Sequence, residues 1–263
     1  MSTAPVIVVV DVGNSHTIIG VFRGEEIIEY WRLTTRTQAT ADEVLLRISG
    51  LLNQSSKLRN TEVTHIGLST VVPMLERPWA KALNYLFEKP VKVVSARNCL
   101  GLSIDYPVPD LLGSDRISNV LALRENGYET GIVVDMGTAT TFDVMKDGRF
   151  KGGIIAPGIT VGLETLIQKT ARLMPVTLDW TDKFIANNTD DALRTGVLYG
   201  FLGQLEYLLN GIIAELDLDN PIKVFSTGGW SNLLMKKTNL VHFYDPYLTL
   251  RGVRLVALQG EEL

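Results

Sequence analysis

One unit of sequence occurs twice in this chain and limits the folds that the chain can adopt. Residues 5–10 form a short β-branched run that ends at Asp11-Val12-Gly13-Asn14, and residues 131–134 form a similar run that ends at Asp135-Met136-Gly137-Thr138. Each run predicts a buried strand, and each Asp-x-Gly turn leads into a further strand. The two aspartates are 124 positions apart, close to half of the 263 residues. The duplication predicts an α/β fold of two similar lobes, each a mixed sheet covered by helices, on either side of a cleft.

The remaining pattern fills in these two lobes, which we expect to span residues 1–121 and 122–263. Apolar residues at helical spacing predict helices at 41–52, 75–87, 114–124, 190–216 and near 250–258. Strand-like runs occur at 16–22, 26–33, 63–71, 91–94, 141–145, 150–155 and 223–226. A Pro-containing loop is expected at 95–112. The apolar stripe of the long helix, between 198 and 209, favours either a helix core or a dimer seam.

Composition narrows the class of partner. The net charge is -4, the isoelectric point is about 5.5, and no cluster of Lys and Arg occurs, which disfavours nucleic acid or an anionic membrane as the main partner. The single cysteine, Cys99, excludes an intrachain disulfide. The apolar run near the N-terminus is too short for a spanning helix and lacks the basic region of a signal peptide. We therefore expect a cytoplasmic protein with a small soluble ligand.

Both Asp-x-Gly turns carry groups that suit phosphate binding. Glycine lets the backbone turn sharply, and Asn, Ser and Thr groups in 11–17 and 135–141 can donate to phosphate oxygens. A carboxylate at a strand end, such as Asp11, can hold a hydrated Mg²⁺ that bridges those oxygens. A hairpin turn with polar caps would look the same when taken singly. Two such loops could grip a polyphosphate from both sides, and this pairing favours a nucleotide site.

A third turn, Ser226-Thr227-Gly228-Gly229, follows an apolar strand and opens a helix. Its paired glycines permit the close approach of a flat ligand such as adenine or ribose. A plain strand-to-helix turn would have a similar sequence. The turn therefore supports a nucleotide cleft only in combination with the other two.

The segment Gly113-Ser114-Asp115-Arg116 follows the Pro-containing loop and opens a predicted helix. Asp115 could serve simply as a cap or first-turn charge of that helix. In a kinase, a carboxylate can orient an alcohol and accept its proton, while an adjacent guanidinium holds a substrate carboxylate. The residues alone leave both interpretations open.

Five ordered motifs together resemble the type III pantothenate kinases from end to end, within the superfamily of actin, Hsp70 and the sugar kinases. The motifs are D-V-G-N-S at 11–15, Y-P-V-P-D-L-L-G-S-D-R at 106–116, D-M-G-T-A-T-T-F-D at 135–143, G-G-I-I-A-P-G at 152–158 and S-T-G-G at 226–229. One departure is Ser114, where the family more often has alanine. The resemblance implies actin or ribonuclease H-like lobes and ATP-dependent phosphorylation of pantothenate to 4′-phosphopantothenate, the first step of coenzyme A biosynthesis.

The resemblance also implies roles for individual residues. Asp115 is the expected catalytic base, Asp11 the expected Mg²⁺ ligand, directly or through water, and Asp135 the expected site of a monovalent cation, K⁺ or NH₄⁺. The residues expected to bind ATP are Asp11, Val12, Gly13, Asn14, Ser15, His16, Thr17, Ile18, Thr138, Gly228 and Gly229. Those expected to bind pantothenate are Tyr106, Gly113, Ser114, Asp115, Arg116 and Thr189, the last across the interface of a homodimer.

Other functions with the same signals are less well supported. A sugar or acetate kinase would normally need a longer chain, and a chaperone or filament protein would need added subdomains. A regulatory protein that binds a nucleotide without turnover is the more serious alternative. Such a protein could lose its catalytic base, whereas Asp11, Asp115, Arg116 and Asp135 are all present here.

Overall fold

The computed structural model describes residues 4–58 and 62–260, which divide into two compact units. Unit 1 comprises Met1–Tyr128, Gly148–Lys151 and Tyr247–Leu263, and unit 2 comprises Glu129–Asp147 and Gly152–Pro246. The expected lobes, 1–121 and 122–263, differ from these units mainly at the C-terminal helix. That helix contacts three strands and a helix of unit 1, so its residues belong with the first part of the chain.

Both units contain helices and strands. In chain order they are β1 (Val6–Val12), β2 (His16–Arg23), β3 (Glu26–Thr34), α1 (Ala41–Gln54), β4 (His65–Thr70), α2 (Pro73–Phe87), β5 (Val91–Val93), β6 (Ser103–Ile104), α3 (Ser114–Glu125), β7 (Gly131–Met136), β8 (Ala139–Lys146), β9 (Arg149–Pro157), α4 (Ile159–Gln168), α5 (Thr189–Leu216), β10 (Lys223–Thr227), α6 (Ser231–Leu234), β11 (Phe243–Tyr244) and α7 (Leu248–Ala257). Short 3₁₀ turns lie at Pro109–Leu111 and Met235–Lys237.

The two sheets share one strand order. The first sheet runs β3-β2-β1-β4-β5, and the second contains β9-β8-β7-β10-β11 with β6 added beside β9. In both sheets a hairpin supplies the antiparallel pair, β1 with β2 or β7 with β8. The next strands, β4 and β10, are parallel to β1 and β7 respectively. The mixed sheets and the internal duplication predicted from the Asp-x-Gly units are therefore confirmed.

Unit 1 covers both faces of the central strand of its sheet. The first five residues of β1, VIVVV, are all buried, as expected for a central strand covered on both sides. On one face alternate residues of β1 join a core with Val44 of α1 and Trp79 of α2. Helix α7 contacts β1 and β4 as well as α3. Helix α1 begins at a capping box in which Thr40 and Glu43 satisfy each other's backbone N–H groups.

Unit 2 has a core between its sheet and helices α4 and α5. Leu198, Leu205 and Leu209 of α5 are buried there, so the apolar stripe of this helix is core. By length and composition α5 could also cross a membrane, but core helices commonly pass that test. The sequence pattern predicted neither α4 nor the two-residue strands β6 and β11.

Candidate active site

The first Asp-x-Gly turn is a tight hairpin at the end of β1. The Gly13 N–H donates to the His16 carbonyl oxygen at 3.0 Å. A Cβ atom at Gly13 would lie 3.0 Å from the same oxygen, which explains the preference for glycine there. Asn14 is exposed at the tip, whereas Thr17 is buried. The turn therefore presents its backbone and polar tip at the surface of unit 1.

Asp11 is the charged group of this turn. Its Oδ1 accepts a hydrogen bond from the Ser69 hydroxyl of β4 at 2.8 Å, because β1 and β4 are parallel and place these residues opposite each other. Desolvation raises the pKa of Asp11 to about 7, the negative charge of Asp115 adds to the rise, and the Ser69 bond opposes it. The carboxylate is thus poorly compensated by this unit and suits a cation.

Asp115 lies in the first turn of α3, close enough to Asp11 for the two charges to interact. Its Oδ1 accepts from the N–H of Arg116 at 2.8 Å. A Cβ atom at Gly113 would lie 2.5 Å from that Oδ1, so glycine makes room for the folded-back side chain. Desolvation raises the pKa of Asp115, against the hydrogen bond and positive charge of Arg116. A carboxylate with a raised pKa is a stronger base once it is ionised.

Ser114, the departure from the family pattern, fastens α3 to the end of β4. Its hydroxyl accepts from the Thr70 N–H at 2.8 Å and donates to the Thr70 carbonyl oxygen at 2.9 Å. It also lies 3.0 Å from the Ser69 hydroxyl, which reaches Asp11. These contacts connect the helix that carries Asp115 to the carboxylate of β1.

Arg116, Tyr106 and Phe150 form an aromatic and cationic cluster beside Asp115. The buried Arg116 donates from Nη1 to the Tyr106 hydroxyl at 3.3 Å, and its guanidinium lies 5.5 Å from the centre of the Phe150 ring. The Tyr106 and Phe150 ring centroids are 5.7 Å apart. A guanidinium held in this way can bind a substrate carboxylate. Phe150 was not among the predicted site residues.

The loop before Tyr106 is fastened to the same strand. The N–H of Asp105 donates to the Phe150 carbonyl oxygen at 2.9 Å, and the Asp105 carboxylate pairs with Arg149 and Lys151. Hydrogen bonds from Arg149 and Lys151 hold the pKa of Asp105 at about 2. Three consecutive residues of unit 1 thus position Tyr106 from one side.

Unit 2 brings together the second Asp-x-Gly turn and the late glycine turn. Thr227 pairs with Asp135 where β10 runs parallel to β7. Gly228 has a φ of 91°, and a Cβ atom there would lie 2.6 Å from Asp135 Oδ1. Gly158 donates to the Thr138 carbonyl oxygen at 3.1 Å, so the end of the G-G-I-I-A-P-G motif supports this turn. Glycine at position 228 therefore lets the backbone pack closely against the Asp135 carboxylate.

Thr189 is the first residue of α5 and is exposed. The cap of that helix is the preceding residue, Asn188, whose Oδ1 accepts from the Asp191 N–H at 2.9 Å. Thr189 is therefore not required for capping.

Asp11 and Asp135 are the carboxylates expected to bind metal ions. Within 4–58 and 62–260, no three His, Cys, Asp or Glu side chains converge as a preformed metal cage. This fits Mg²⁺, which keeps several waters and binds through one or two carboxylates and the phosphates of a nucleotide. Asp11, with its raised pKa, fits that pattern.

Solved structures share the fold at low sequence identity. A glucokinase of the ROK family from Streptomyces griseus, solved with glucose and AMPPNP, aligns with a TM-score of 0.53 and 12% identity over 97% of this chain and 100% of that chain. The ethanolamine utilization protein EutJ from Carboxydothermus hydrogenoformans gives 0.54 and 15% over 96% and 90%. The sugar-kinase type of fold expected from the sequence is confirmed.

Curated sequences identify the family. A type III pantothenate kinase from Thermobifida fusca is 36% identical over 94% of this chain and 96% of its own length. One from Dictyoglomus turgidum is 36% identical over 97% and 99%. The family model described as type III pantothenate kinase matches residues 7–211, which include Asp11, Asp115 and Asp135. This chain belongs to the type III pantothenate kinase family.

Proposed function

We propose that this chain transfers the γ-phosphoryl group of ATP to the primary hydroxyl of pantothenate, giving 4′-phosphopantothenate in the first step of coenzyme A biosynthesis. The observation that carries the proposal is the desolvated carboxylate of Asp115, which lies beside Asp11 and next to the buried cation of Arg116. A base, a cation-binding carboxylate and a carboxylate receptor are the groups that such a transfer needs.

In this mechanism, Asp115 accepts the proton of the pantothenate hydroxyl. The hydroxyl oxygen forms a bond to the γ-phosphorus while the bond from that phosphorus to the bridging oxygen breaks, and ADP leaves with the electron pair. Arg116, supported by Phe150 and Tyr106, holds the pantothenate carboxylate. Asp11 would hold Mg²⁺ directly or through water, and the bound ion would supply neutralisation of phosphate charge. The backbone of the 13–17 turn holds phosphate oxygens, and Thr138 is a further proposed ATP contact.

The test is an assay of the purified protein with ATP, Mg²⁺ and pantothenate in a potassium buffer, with the product identified by mass spectrometry. We expect 4′-phosphopantothenate and ADP in equal amounts. ATP binding with no phosphorylated product would instead support the regulatory alternative.

A monovalent cation, K⁺ or NH₄⁺, is proposed to bind at Asp135. The support is a carboxylate at the end of β7 that packs against the Gly228 backbone, since hard cations take carboxylate and backbone carbonyl oxygens as ligands. Replacing K⁺ with Na⁺ at constant ionic strength should lower the turnover rate. Equal rates in the two salts would contradict the cation site.

The active unit is proposed to be a cytoplasmic homodimer in which Thr189 of one chain completes the pantothenate site of the other, with no nucleic acid or membrane as partner. The support is an open groove of about 380 Å³ between α4 and α5. Leu166 and Phe201 line it, and open space lies where a Cβ atom would stand at Gly196 and Gly200, so the backbone of α5 can be approached closely. Thr189 begins the same helix.

A further inference from the structure

The end of β3 holds the phosphate turn through one residue that has no role in the site described above. Thr35, directly after β3, donates from its hydroxyl to the Gly13 carbonyl oxygen at 2.7 Å. The Thr35 N–H donates to the Ser15 carbonyl oxygen at 3.0 Å. The Thr35 and Thr17 hydroxyl oxygens are 2.9 Å apart. Thr35 therefore contacts three of the five residues from Gly13 to Thr17.

The direction of these bonds can be assigned. A hydroxyl has one proton, and that of Thr35 is used toward Gly13. In the contact between the Thr17 and Thr35 hydroxyl groups, Thr17 must therefore donate and Thr35 must accept. Because Thr17 is 1% exposed and its proton is directed at Thr35, its hydroxyl stabilises the turn from inside.

These bonds also orient the backbone of the turn. In a trans peptide the C=O and the following N–H point in opposite directions, and the described chain contains no cis peptide. Because the carbonyl groups of Gly13 and Ser15 point at Thr35, the N–H groups of Asn14 and His16 point away from it. Two N–H groups are thus left on the side of the turn away from Thr35, where they can donate to an anion.

A fourth contact comes from the same strand. Arg32 Nη2 donates to Nδ1 of His16 at 3.1 Å, which leaves the ring proton on Nε2. Burial lowers the pKa of His16, and the positive charge of Arg32 lowers it further, which favours the neutral ring. Strand β3 thus fixes the turn at several points and adds a cation beside it.

We propose that Thr35 is a positioning residue for the nucleotide: its hydroxyl fixes the 13–17 turn so that the backbone N–H groups are oriented for the phosphates of ATP. The proposal rests on the assignment of this turn to ATP in the proposed function. It predicts a defect in binding the nucleotide phosphates and none in binding pantothenate.

The test compares Thr35→Val, which removes the hydroxyl but keeps the side-chain shape and the backbone N–H, with Thr35→Ser, which keeps the hydroxyl. The matched control is Thr34→Val, at the neighbouring exposed position. We expect Thr35→Val to raise the Kd of ATP and of ADP about tenfold, since the part-buried Gly13 carbonyl loses its partner. The Kd of adenosine should not change, and Thr35→Ser and Thr34→Val should resemble the wild type.

Calorimetry supplies these Kd values without turnover, so they test Thr35 even if pantothenate is not phosphorylated. Where turnover is measured, the KM of ATP should rise and the KM of pantothenate should stay within about twofold of the wild-type value. Unchanged ATP affinity in Thr35→Val, or equal losses for ATP and adenosine, would overturn the proposal. If Thr35→Val yields no soluble protein, Thr17→Val removes one contact of the same set and should show a smaller loss with the same selectivity; no selectivity there would also overturn it.

Discussion

At the scale of single residues, Gly113 and Ser114 show how the position of Asp115 is fixed. Glycine leaves space for the Asp115 carboxylate to fold back, and the Ser114 hydroxyl ties the start of α3 to Thr70. Neither residue needs to touch a substrate to affect the base. The glycine at position 113 and the hydrogen bonds that hold the start of α3 therefore both help to position the Asp115 carboxylate.

Replacing Asp115 with Asn should test the base directly. The amide has nearly the same shape but cannot accept the hydroxyl proton, so kcat should fall by about 10²–10⁴ while ATP affinity and thermal stability change little. Steady-state kinetics, calorimetry with ATP and thermal unfolding of the same sample measure the three quantities. A variant with nearly wild-type kcat would reduce Asp115 to a first-turn charge of α3.

Asp11 should make the metal-free protein less stable as pH rises. Its pKa is about 7 in the folded state and near 3.8 when unfolded, so between these values the folded state holds a proton that the unfolded state has released. Stability therefore decreases as pH increases through this range. Asp11→Asn should therefore stabilise the protein more at pH 8 than at pH 4. The difference in free energy of unfolding between the variant and the wild type should be larger at pH 8 by on the order of 2–4 kcal/mol.

Urea unfolding of both proteins in EDTA, at pH 4 and pH 8, measures that difference. A difference between variant and wild type that is the same at both pH values would contradict the raised pKa of Asp11. The variant should also bind MgATP more weakly than the wild type, because it lacks the cation-binding charge.

Sequence motifs revealed the site residues whose neighbours in the chain indicate their role, but not the partners that come from distant parts of the chain. Asp11, Asp115 and Asp135 stand in short motifs whose neighbouring glycines and hydroxyls indicate their chemistry. Ser69 reaches Asp11 from 58 residues away, and Phe150 reaches Arg116 from a different part of the chain. Such partners meet only through tertiary structure, and no local pattern marks them.

At the scale of elements, helix α4 was missed for a physical reason. Its sequence, ITVGLETLIQ, begins with β-branched residues and contains a glycine, all of which lower helix propensity. Burial of Ile159 and Leu163 in the core of unit 2 compensates for that propensity. Helices with regular apolar spacing, such as α1 and α2, were placed to within about two residues at each end.

The crossing of α3 and α7 should be highly sensitive to side-chain size. A Cβ atom at Gly252 of α7 would lie 1.9 Å from the Ser118 carbonyl oxygen of α3, so the helices must separate to accept alanine. Gly252→Ala should lower the free energy of unfolding by about 3 kcal/mol. Gly50→Ala in α1 is the control, because its Cβ atom would enter open space, and it should add about 0.5–1 kcal/mol.

Chemical denaturation of the two variants beside the wild type measures both effects. If Gly252→Ala is as stable as Gly50→Ala, the close helix contact is not present in solution. Because Gly252 belongs to unit 1, the loss should also be visible as an earlier transition of that unit if the two units unfold separately.

At the scale of the whole molecule, the shared sheet order supports the internal duplication that the sequence predicted. Repetition of the Asp-x-Gly hairpin made this feature accessible without a structure. The sequence could not predict that α7 belongs to unit 1. All of unit 2 lies between α3 and α7 in the chain, and only tertiary contacts bring these two helices together.

The proposed homodimer predicts complementation between inactive chains. Asp115→Asn and Thr189→Val chains each lack one half of a shared site, so a hybrid dimer contains one site with both residues intact. Equal mixing with full subunit exchange should restore about a quarter of the wild-type rate, since half of the dimers are hybrids with one working site in two. Kinetic assay of the mixture tests this, with mass spectrometry to confirm exchange. No recovery after confirmed exchange would mean that each chain builds its own site.

The composition of unit 1 from separated segments has a consequence for protein synthesis. Residues of α7 are translated after all of unit 2, yet α7 covers β1, β4 and α3 near the start of the chain. A ribosome-bound chain that has just completed unit 2 therefore has a nearly continuous second unit ready to fold and a first unit whose apolar sheet face is still open. We expect the usual order of folding during translation, N-terminal region first, to be reversed here, with the nascent first unit exposed to chaperones until α7 emerges.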